Sequence, residues 1–482
     1  MALFTRRVSD LLARPLVAVA PETAVVEVAR RLSRERVGSV VVTHDDVPAG
    51  IITDQDLRQR VVEAGRDPAR TPASTIMSFP VLTLAPSARA FDALLVMTRH
   101  RVRHVVVVEN GRAIGVISNR DLLDLHAVHP VMLADDIARA PSVEALGRLA
   151  PAVVDLIRRL FADGGKVLEI AQLVSELNDR IVIRVIELTT QALADDGRRA
   201  PVPFAWLAFG SEGRREQTLH TDQDNGVVYA DPPAELDDAA REYFARLAQR
   251  VVDALIVIGI PECPGGAMAS NRRWCQPLGV WKRYVDDWIS APSPEHLLAA
   301  AMYFDLRPVS GDFRLAAALA DRIHAEAPAH PRFLGLMARD VVDRRVPLTL
   351  FGNVGVARSG EHRGRIDVKG GGCFQVVGAA RVHALELGLR ETNTVARIAA
   401  AGAHGRYTDD EVRDITEAYE QLLRVRLAHQ LEQLEAGVTP DNRIDPERLS
   451  HRDALLLRDA LKTVAMVQQR LRERYATDYI PA

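Results

Sequence analysis

Two stretches of the chain repeat one another at a fixed offset, and that regularity restricts the fold more than any other feature of the sequence. RPLVAVAPETAVVEVARRLSRERVGSVVVTHDDVPAGIITDQDL aligns with FPVLTLAPSARAFDALLVMTRHRVRHVVVVENGRAIGVISNRDL without a gap. Pro15 pairs with Pro80, Pro21 with Pro86, Gly50 with Gly115, Thr53 with Ser118 and Asp56 with Asp121, always 65 residues on. A duplicated unit buries a small core of its own and then packs against its copy. Each copy reads as a short apolar strand, a helix with Val25, Val28, Ala29 and Leu32 at three- and four-residue steps, two β-branched runs at 39–43 and 50–53, and a closing helix from about Asp54 or Asn119. The runs VVVT and VVVV carry no polar alternation, so the strand pair reads as parallel or mixed and buried on both faces.

The segments G-I-I-T-D-Q-D and G-V-I-S-N-R-D, within a repeat spanning roughly residues 8–127, resemble the tandem CBS-domain pair. That resemblance implies clefts for an adenine nucleotide, with Thr53 and Ser118 on a phosphate and Asp56 and Asp121 on the ribose hydroxyls. It also implies a homodimer formed through the pair. A hydroxyl at a helix start sits beside unpaired N–H groups that attract anions. Read from the residues alone, Thr53 and Ser118 serve equally well as helix caps.

The repeat accounts for about a quarter of 482 residues, a length that suits roughly three domains. Lys and Arg total 61 against 64 Asp and Glu, so no global basic charge asks for nucleic acid or an anionic membrane. No stretch reaches the ~18 apolar residues that span a bilayer, and MALFTRRVSDLLARP has no apolar signal core, so a cytoplasmic location is expected. Cys263, Cys275 and Cys373, without C-x-x-C spacing, read as free thiols rather than a disulfide or zinc framework. From 131 to 200 the pattern is helical, with Ile137, Leu146, Leu149, Val154, Ile157 and Leu160 in register, a connector that either transmits rotation or sets spacing.

Chemistry enters at PFAWLAFGSEGRREQTLHTDQDNGVVYADPP. An apolar strand over 205–209 runs into Gly210-Ser211, then a polar stretch, then a second strand over 222–229. Asp222 and Asp224, two apart in extended chain, leave the same face and can share a cation. Two carboxylates with triphosphate oxygens make the hard-oxygen environment Mg²⁺ prefers. Gly210 permits close backbone approach, and Ser211 offers its N–H and hydroxyl to a phosphate. The G-S, spacer, D-x-D pattern is similar to the nucleotidyltransferase fold of the DNA polymerase β superfamily, and more closely to the PII-protein uridylyltransferases, whose pattern Gly210, Gly213, Arg214, Glu216 and Thr221-Asp222-Gln223-Asp224 match in place. The longer string GSEGRREQTLHTDQDN resembles the branch that carries CBS pairs upstream.

The resemblance implies two Mg²⁺ ions on Asp222 and Asp224, an NTP as substrate, and Arg214 and Lys369 on its phosphates. It places Asp305 as the third catalytic carboxylate with Arg307 beside it, the alternative being that the two form an internal salt bridge in a helix. Glu216 is expected to orient Arg214 through an ion pair rather than act as a base, a mere surface pair being the alternative. Lys369 is one of only four lysines (with Lys166, Lys282 and Lys462) and precedes the glycines 370–372, which read either as an anion nest or as a helix-entry loop. Gly265-Gly266 reads as a tight turn or a loop near the substrate. Two amphipathic helices close the chain, one capped by Thr408 with Glu411 and ended at Gly437, the other starting at Pro446 with Leu455, Leu461, Val464, Val467 and Leu471 buried. No H-D phosphohydrolase motif or paired ACT domains follow, so removal of the nucleotidyl group and glutamine sensing are not expected.

The expected architecture is multidomain α+β. It comprises a tandem CBS pair over 1–130 (units about 8–65 and 73–130), a helical connector over 131–200, a polymerase-β-like nucleotidyltransferase domain with a mixed sheet over 201–325, and a helical, substrate-binding-like domain over 326–482. The expected activity is Mg-dependent nucleotidyl transfer to a protein or small-molecule acceptor, regulated by the CBS pair. The alternative is a non-catalytic nucleotide sensor with a degenerate transferase domain.

Overall fold

A computed structural model describes the chain except residues 1–3, 5, 13, 124–129, 220, 221, 350, 351, 358, 481 and 482. It resolves into two compact units, residues 1–139 with 162–165 and residues 140–161 with 166–482. The fold is mixed α+β, and no helix among the described residues is long and apolar enough to cross a membrane.

In the first unit, β1 (Ala18–Val19) lies parallel to β2 (Ser39–His44), which pairs antiparallel with β3 (Val47–Thr53). The copy repeats this with β4 (Thr83–Leu84), β5 (His104–Glu109) and β6 (Arg112–Ser118). The sheets are mixed, but each β-branched pair is an antiparallel hairpin, because only Asp45-Asp46 and Asn110-Gly111 separate the strands. All four turn residues have positive φ, 52° and 65° then 50° and 81°. A two-residue loop of that conformation closes a hairpin and cannot carry the chain back for parallel pairing. Burial on both faces follows from alternation. Val40, Val42 and Ile52 pack with Val25, Val28 and Leu32 under the Val25–Glu35 helix, while Val41 faces Val106 and Ala113 of the other copy.

The second unit is built around a four-stranded sheet in the order β10, β7, β8, β9, with β7 Phe204–Ala208, β8 Asn225–Tyr229, β9 Cys275–Pro277 and β10 Arg307–Gly311. β7 pairs antiparallel with β8 and β10, and β8 runs parallel to β9. The Val143–Ala162 and Val167–Asp195 helices precede the sheet, and Asp237–Ile258 follows β8 before ending at Gly259. The C-terminal helices are Phe374–Leu387, Thr394–Ala403, Asp409–Glu435 and His451–Tyr475. Thr408 and Glu411 form the capping box. Pro446 heads a short 3₁₀ turn, and the last helix is capped by Ser450 instead. Leu455 is exposed, since it lies two residues, about 200° of helical rotation, from buried Leu457 on the face that also holds Leu461, Val464, Val467 and Leu471.

Candidate active site

β7 delivers the chain to Gly210, where φ is +53° and the backbone turns into the one-turn helix Gly210–Gly213. A Cβ on Gly210 would stand 2.8 Å from Asp224 Oδ2, and one on Gly213 would stand 1.8 Å from the Asp305 carbonyl oxygen. Both positions therefore demand glycine for close approach. The β7–β8 ladder ends at Ala208 opposite Asn225, so the aspartates sit in the extended lead-in to β8, and Phe209 N–H donates to the Asp224 carbonyl at 2.9 Å.

On the opposite edge, Gln223 N–H donates to Pro261 O and Asn225 N–H to Ala267 O, each at 3.0 Å. Gln223 and Asn225 are buried beneath this segment, with Gln223 Nε2 on Ile260 O at 3.1 Å and Asn225 Oδ1 accepting from Ala269 N–H at 2.9 Å. Asp222 and Asp224 alternate to the other side, where their carboxylates and the Cys263 thiol all lie within 4.8 Å of one another. Gly265-Gly266 forms a turn, Gly266 N–H donating to Cys263 O at 2.9 Å, and that turn presents Cys263.

Burial, then the charge of Asp222, raises the Asp224 pKa to about 6, opposed by a hydrogen bond from Cys263 and the charges of Lys369 and Arg214. A close pair of carboxylates that cannot both ionise comfortably suits a divalent cation, and the donor set fits one. Lys369 is exposed at the turn into the Phe374–Leu387 helix. The glycines after it pack tightly, Gly370 on the Asp367 carboxylate, Gly371 on Pro347 and Gly372 on Leu422. Gly370 N–H is already held by Asp367 Oδ1 at 2.9 Å, so the run is a packed helix entry rather than a nest of free N–H groups. Buried Arg426 acts on Asp222 and donates from Nε to Asn442 Oδ1 at 2.6 Å.

Asp305 does not join the aspartate pair. It is fully buried, and its two oxygens take Arg381 at 3.1 and 2.6 Å, Arg397 at 2.5 Å and Arg214 at 2.7 Å. Burial pushes its pKa up, but the three guanidinium groups overcome that and hold it well below the carboxylate range. The saturated carboxylate has no oxygen left for a metal, and the expected alternative, a pair with Arg307 inside a helix, is not found either: Asp305 lies in a turn before β10 and takes three other arginines. Arg214 is likewise turned into the fold rather than toward a phosphate. Its Nε donates to Glu216 at 2.8 Å, and Glu216 also accepts from Thr394 N–H at 2.5 Å, Thr394 Oγ1 at 2.9 Å, Asn393 Nδ2 at 3.1 Å and Tyr419 OH at 2.8 Å. Arg307 makes a bidentate pair with Asp179 at 2.8 Å and donates to Glu212 O at 3.1 Å. These contacts pin the Gly210–Glu216 loop between the Val167–Asp195 helix and the C-terminal helices.

In the repeat pair, the Asp56 carboxylate takes Thr53 N–H at 2.8 Å, Thr53 Oγ1 at 2.7 Å and Ser78 Oγ at 3.1 Å. Asp121 takes Ser118 N–H at 2.7 Å and Ser118 Oγ at 2.6 Å, and borders a cavity of about 520 Å³ shared with Ser118, Arg14, Arg36, Arg103 and Arg120. Thr221 of the D-x-D motif lies outside the described residues.

The family model "Putative nucleotidyltransferase DUF294" matches residues 152–295, "Putative nucleotidyltransferase substrate binding domain" matches 331–475, and the CBS domain matches 8–63 and 73–127. The chain thus joins a CBS pair to a DUF294 domain and its C-terminal partner domain, matching the domain order of a CBS-pair "putative nucleotidyltransferase". "Uncharacterized protein MK0525" of Methanopyrus kandleri is 33% identical over 26% of this chain, which spans 64% of that relative's length. "CBS domain-containing protein YhcV" of Bacillus subtilis is 29% identical over 24% of the chain and 81% of its own. Among solved structures, the CBS-domain protein ATU1752 of Agrobacterium tumefaciens is 36% identical, covering 25% of this chain and 98% of its own with a TM-score of 0.24.

Within this DUF294 chain, sequence reasoning missed three groups beside the aspartates: Cys263, Arg426 and Glu212. Glu212 is buried under the loop, and burial, then the charge of Asp179, raises its pKa to about 8. The signal for Glu212 was a carboxylate inside a glycine turn flanked by apolar strands. For Arg426, nothing local distinguishes it from the other cations of a long helix.

Proposed function

We propose that this chain is a divalent-cation-dependent nucleotidyltransferase that moves a nucleoside monophosphate from an NTP to a hydroxyl of a protein or small-molecule acceptor, releasing pyrophosphate. The observation that carries this reading is the convergence of the Asp222 and Asp224 carboxylates, with Asp224 seated against the bare Cα of Gly210. Asp222 and Asp224 would hold Mg²⁺ or a similar ion. A bound cation supplies positive charge to the triphosphate and to the departing pyrophosphate. Gly210 leaves room for the ligand-facing carboxylate, partly exposed Ser211 offers a hydroxyl at the loop, and exposed Lys369 offers a mobile positive charge. Arg214, Glu216, Asp305 and Arg307 act as positioning residues that hold the loop rigid, the condition for preorganised charge stabilisation.

The likeness to the PII uridylyltransferases supports a protein acceptor and does not choose among the NTPs. The repeat pair is proposed to bind an adenine nucleotide as regulator, to form the interface of a homodimer, and to work in the cytoplasm. A second reading, a nucleotide sensor without turnover, is favoured by one observation: among the described residues two carboxylates converge, Asp305 being committed elsewhere. The test is pyrophosphate release from each NTP with cell extract as acceptor source, using wild type and the Asp222→Ala/Asp224→Ala variant. Release that disappears in the variant supports the transferase. Nucleotide binding without release from any NTP supports the sensor.

A further inference from the structure

Residues 261–267 are fastened to the aspartate strand at both ends, by Gln223 N–H on Pro261 O and Asn225 N–H on Ala267 O, each at 3.0 Å. Between these anchors the chain bulges over the face that carries Asp222 and Asp224. The turn closed by Gly266 N–H on Cys263 O aims one side chain of the bulge at the carboxylates, and that side chain is a thiol. A loop whose only role was to cover the aspartates would be served by alanine or serine. Cys263 is 7% exposed and its sulfur lies within 4.8 Å of both carboxylates, so it forms part of the donor set rather than a surface accident.

We propose that Cys263 is a third protein ligand of the cation held by Asp222 and Asp224, and that it makes the site prefer Co²⁺ or Zn²⁺ to Mg²⁺. This rests on reading the two aspartates as cation ligands. Two carboxylates alone favour hard ions that keep their water, whereas a sulfur donor is accepted by the transition metals and Zn²⁺ and refused by Mg²⁺. On coordination the S–H bond is replaced by an S–metal bond, and the proton passes to the buffer.

The test titrates Co²⁺ and Mg²⁺ into the full-length protein, following ultraviolet absorption and calorimetry together. Wild type is expected to develop a thiolate-to-cobalt charge-transfer band that saturates with site occupancy. Cys263→Ser should lose the band and bind Co²⁺ about tenfold or more weakly, with Mg²⁺ affinity changed less than about twofold. Cys263→Ala, checked by its thermal midpoint, guards against a serine variant that misfolds. Co²⁺ binding that is equal in wild type and variant, with no band in either, overturns the proposal while leaving the aspartate site standing. Co²⁺ binding that is also unaffected by Asp222→Asn/Asp224→Asn removes the aspartate site as well. Pyrophosphate release by wild type, measured separately with each metal, judges the transferase reading independently of either result.

Discussion

Asp222 with Asp224 and Asp305 are carboxylates of one unit that received opposite treatment. Asp305 is enclosed by Arg214, Arg381 and Arg397, more positive charge than it needs. The Asp222–Asp224 pair carries two carboxylates; Arg214 is already spent on Glu216 and Asp305, leaving exposed Lys369 toward Asp224 and buried Arg426 toward Asp222. Where the fold completes the charge itself, the carboxylate is part of the frame; where it leaves charge incomplete beside an opening, a ligand completes it. The two sets should therefore fail in opposite ways. Asp222→Ala/Asp224→Ala should reduce pyrophosphate release by about 10³-fold or more, equivalent to at least about 4 kcal/mol of transition-state stabilisation, without lowering the thermal midpoint. Asp305→Ala should leave the buried Arg381 and Arg397 guanidinium groups without their carboxylate, Arg214 keeping Glu216, and cost about 3–5 kcal/mol in urea unfolding. An Asp305→Ala protein of wild-type stability but without activity would return Asp305 to the catalytic set and dissolve the contrast.

How much of this was legible depends on how far apart the partners lie in the chain. The repeat, the glycines at 210 and 213 and the D-x-D pair are local patterns, and spacing alone brings out their chemistry. The fate of Asp305 was not local, because Arg214 is 91 residues before it and Arg397 is 92 after it, and Glu216 meets Tyr419 across 203 residues. A motif arginine and a motif glutamate look alike whether they face a phosphate or a neighbouring helix. Cys263 was visible only as one of three isolated thiols until the loop was seen to fold back on the strand. The hairpin pairing in the repeats was a different kind of miss, since Asp45-Asp46 and Asn110-Gly111 are turn signals in plain view, and the apolar runs on either side outweighed them.

Glu212 lies between the two kinds of carboxylate: buried like Asp305 yet facing the negative charges of Asp179 and Asp224. Its folded pKa, raised to about 8, stands above the unfolded value of 4.5. Between those limits the folded state keeps a proton the unfolded chain has released, so stability falls as pH rises from about 4.5 to 8, by up to ~1.4 kcal/mol per pH unit, and levels off above. Glu212→Gln, neutral at every pH and of the same shape, should abolish that slope in urea unfolding at pH 6, 7, 8 and 9. An unchanged slope would place the titration elsewhere and make Glu212 a second carboxylate satisfied by the frame.

The same distinction separates the two copies of the N-terminal repeat, although their motifs are equivalent in sequence. Asp56 is 7% exposed, and while Oδ2 caps its helix through Thr53, Oδ1 is occupied by Ser78 at 3.1 Å with Arg60 at 3.5 Å. Asp121 caps through Oδ2 in the same way, but it borders a cavity lined by Arg14, Arg36 and Arg120, by Arg103, which pairs with Asp135 at 2.9 Å, and by Asp54, an arginine excess that suits phosphate. By that criterion we propose that the nucleotide binds at the second copy's motif, in the cavity that both copies line. Asp121→Ala should therefore weaken binding of an adenine nucleotide by about tenfold, the effect of one lost hydrogen bond to a charged group. Asp56→Ala should change affinity by less than about twofold while lowering the thermal midpoint. Calorimetry on wild type should find one nucleotide per chain, and two equivalents, each sensitive to its own aspartate, would mean that the Ser78 contact yields to a ligand and that saturation does not distinguish the copies.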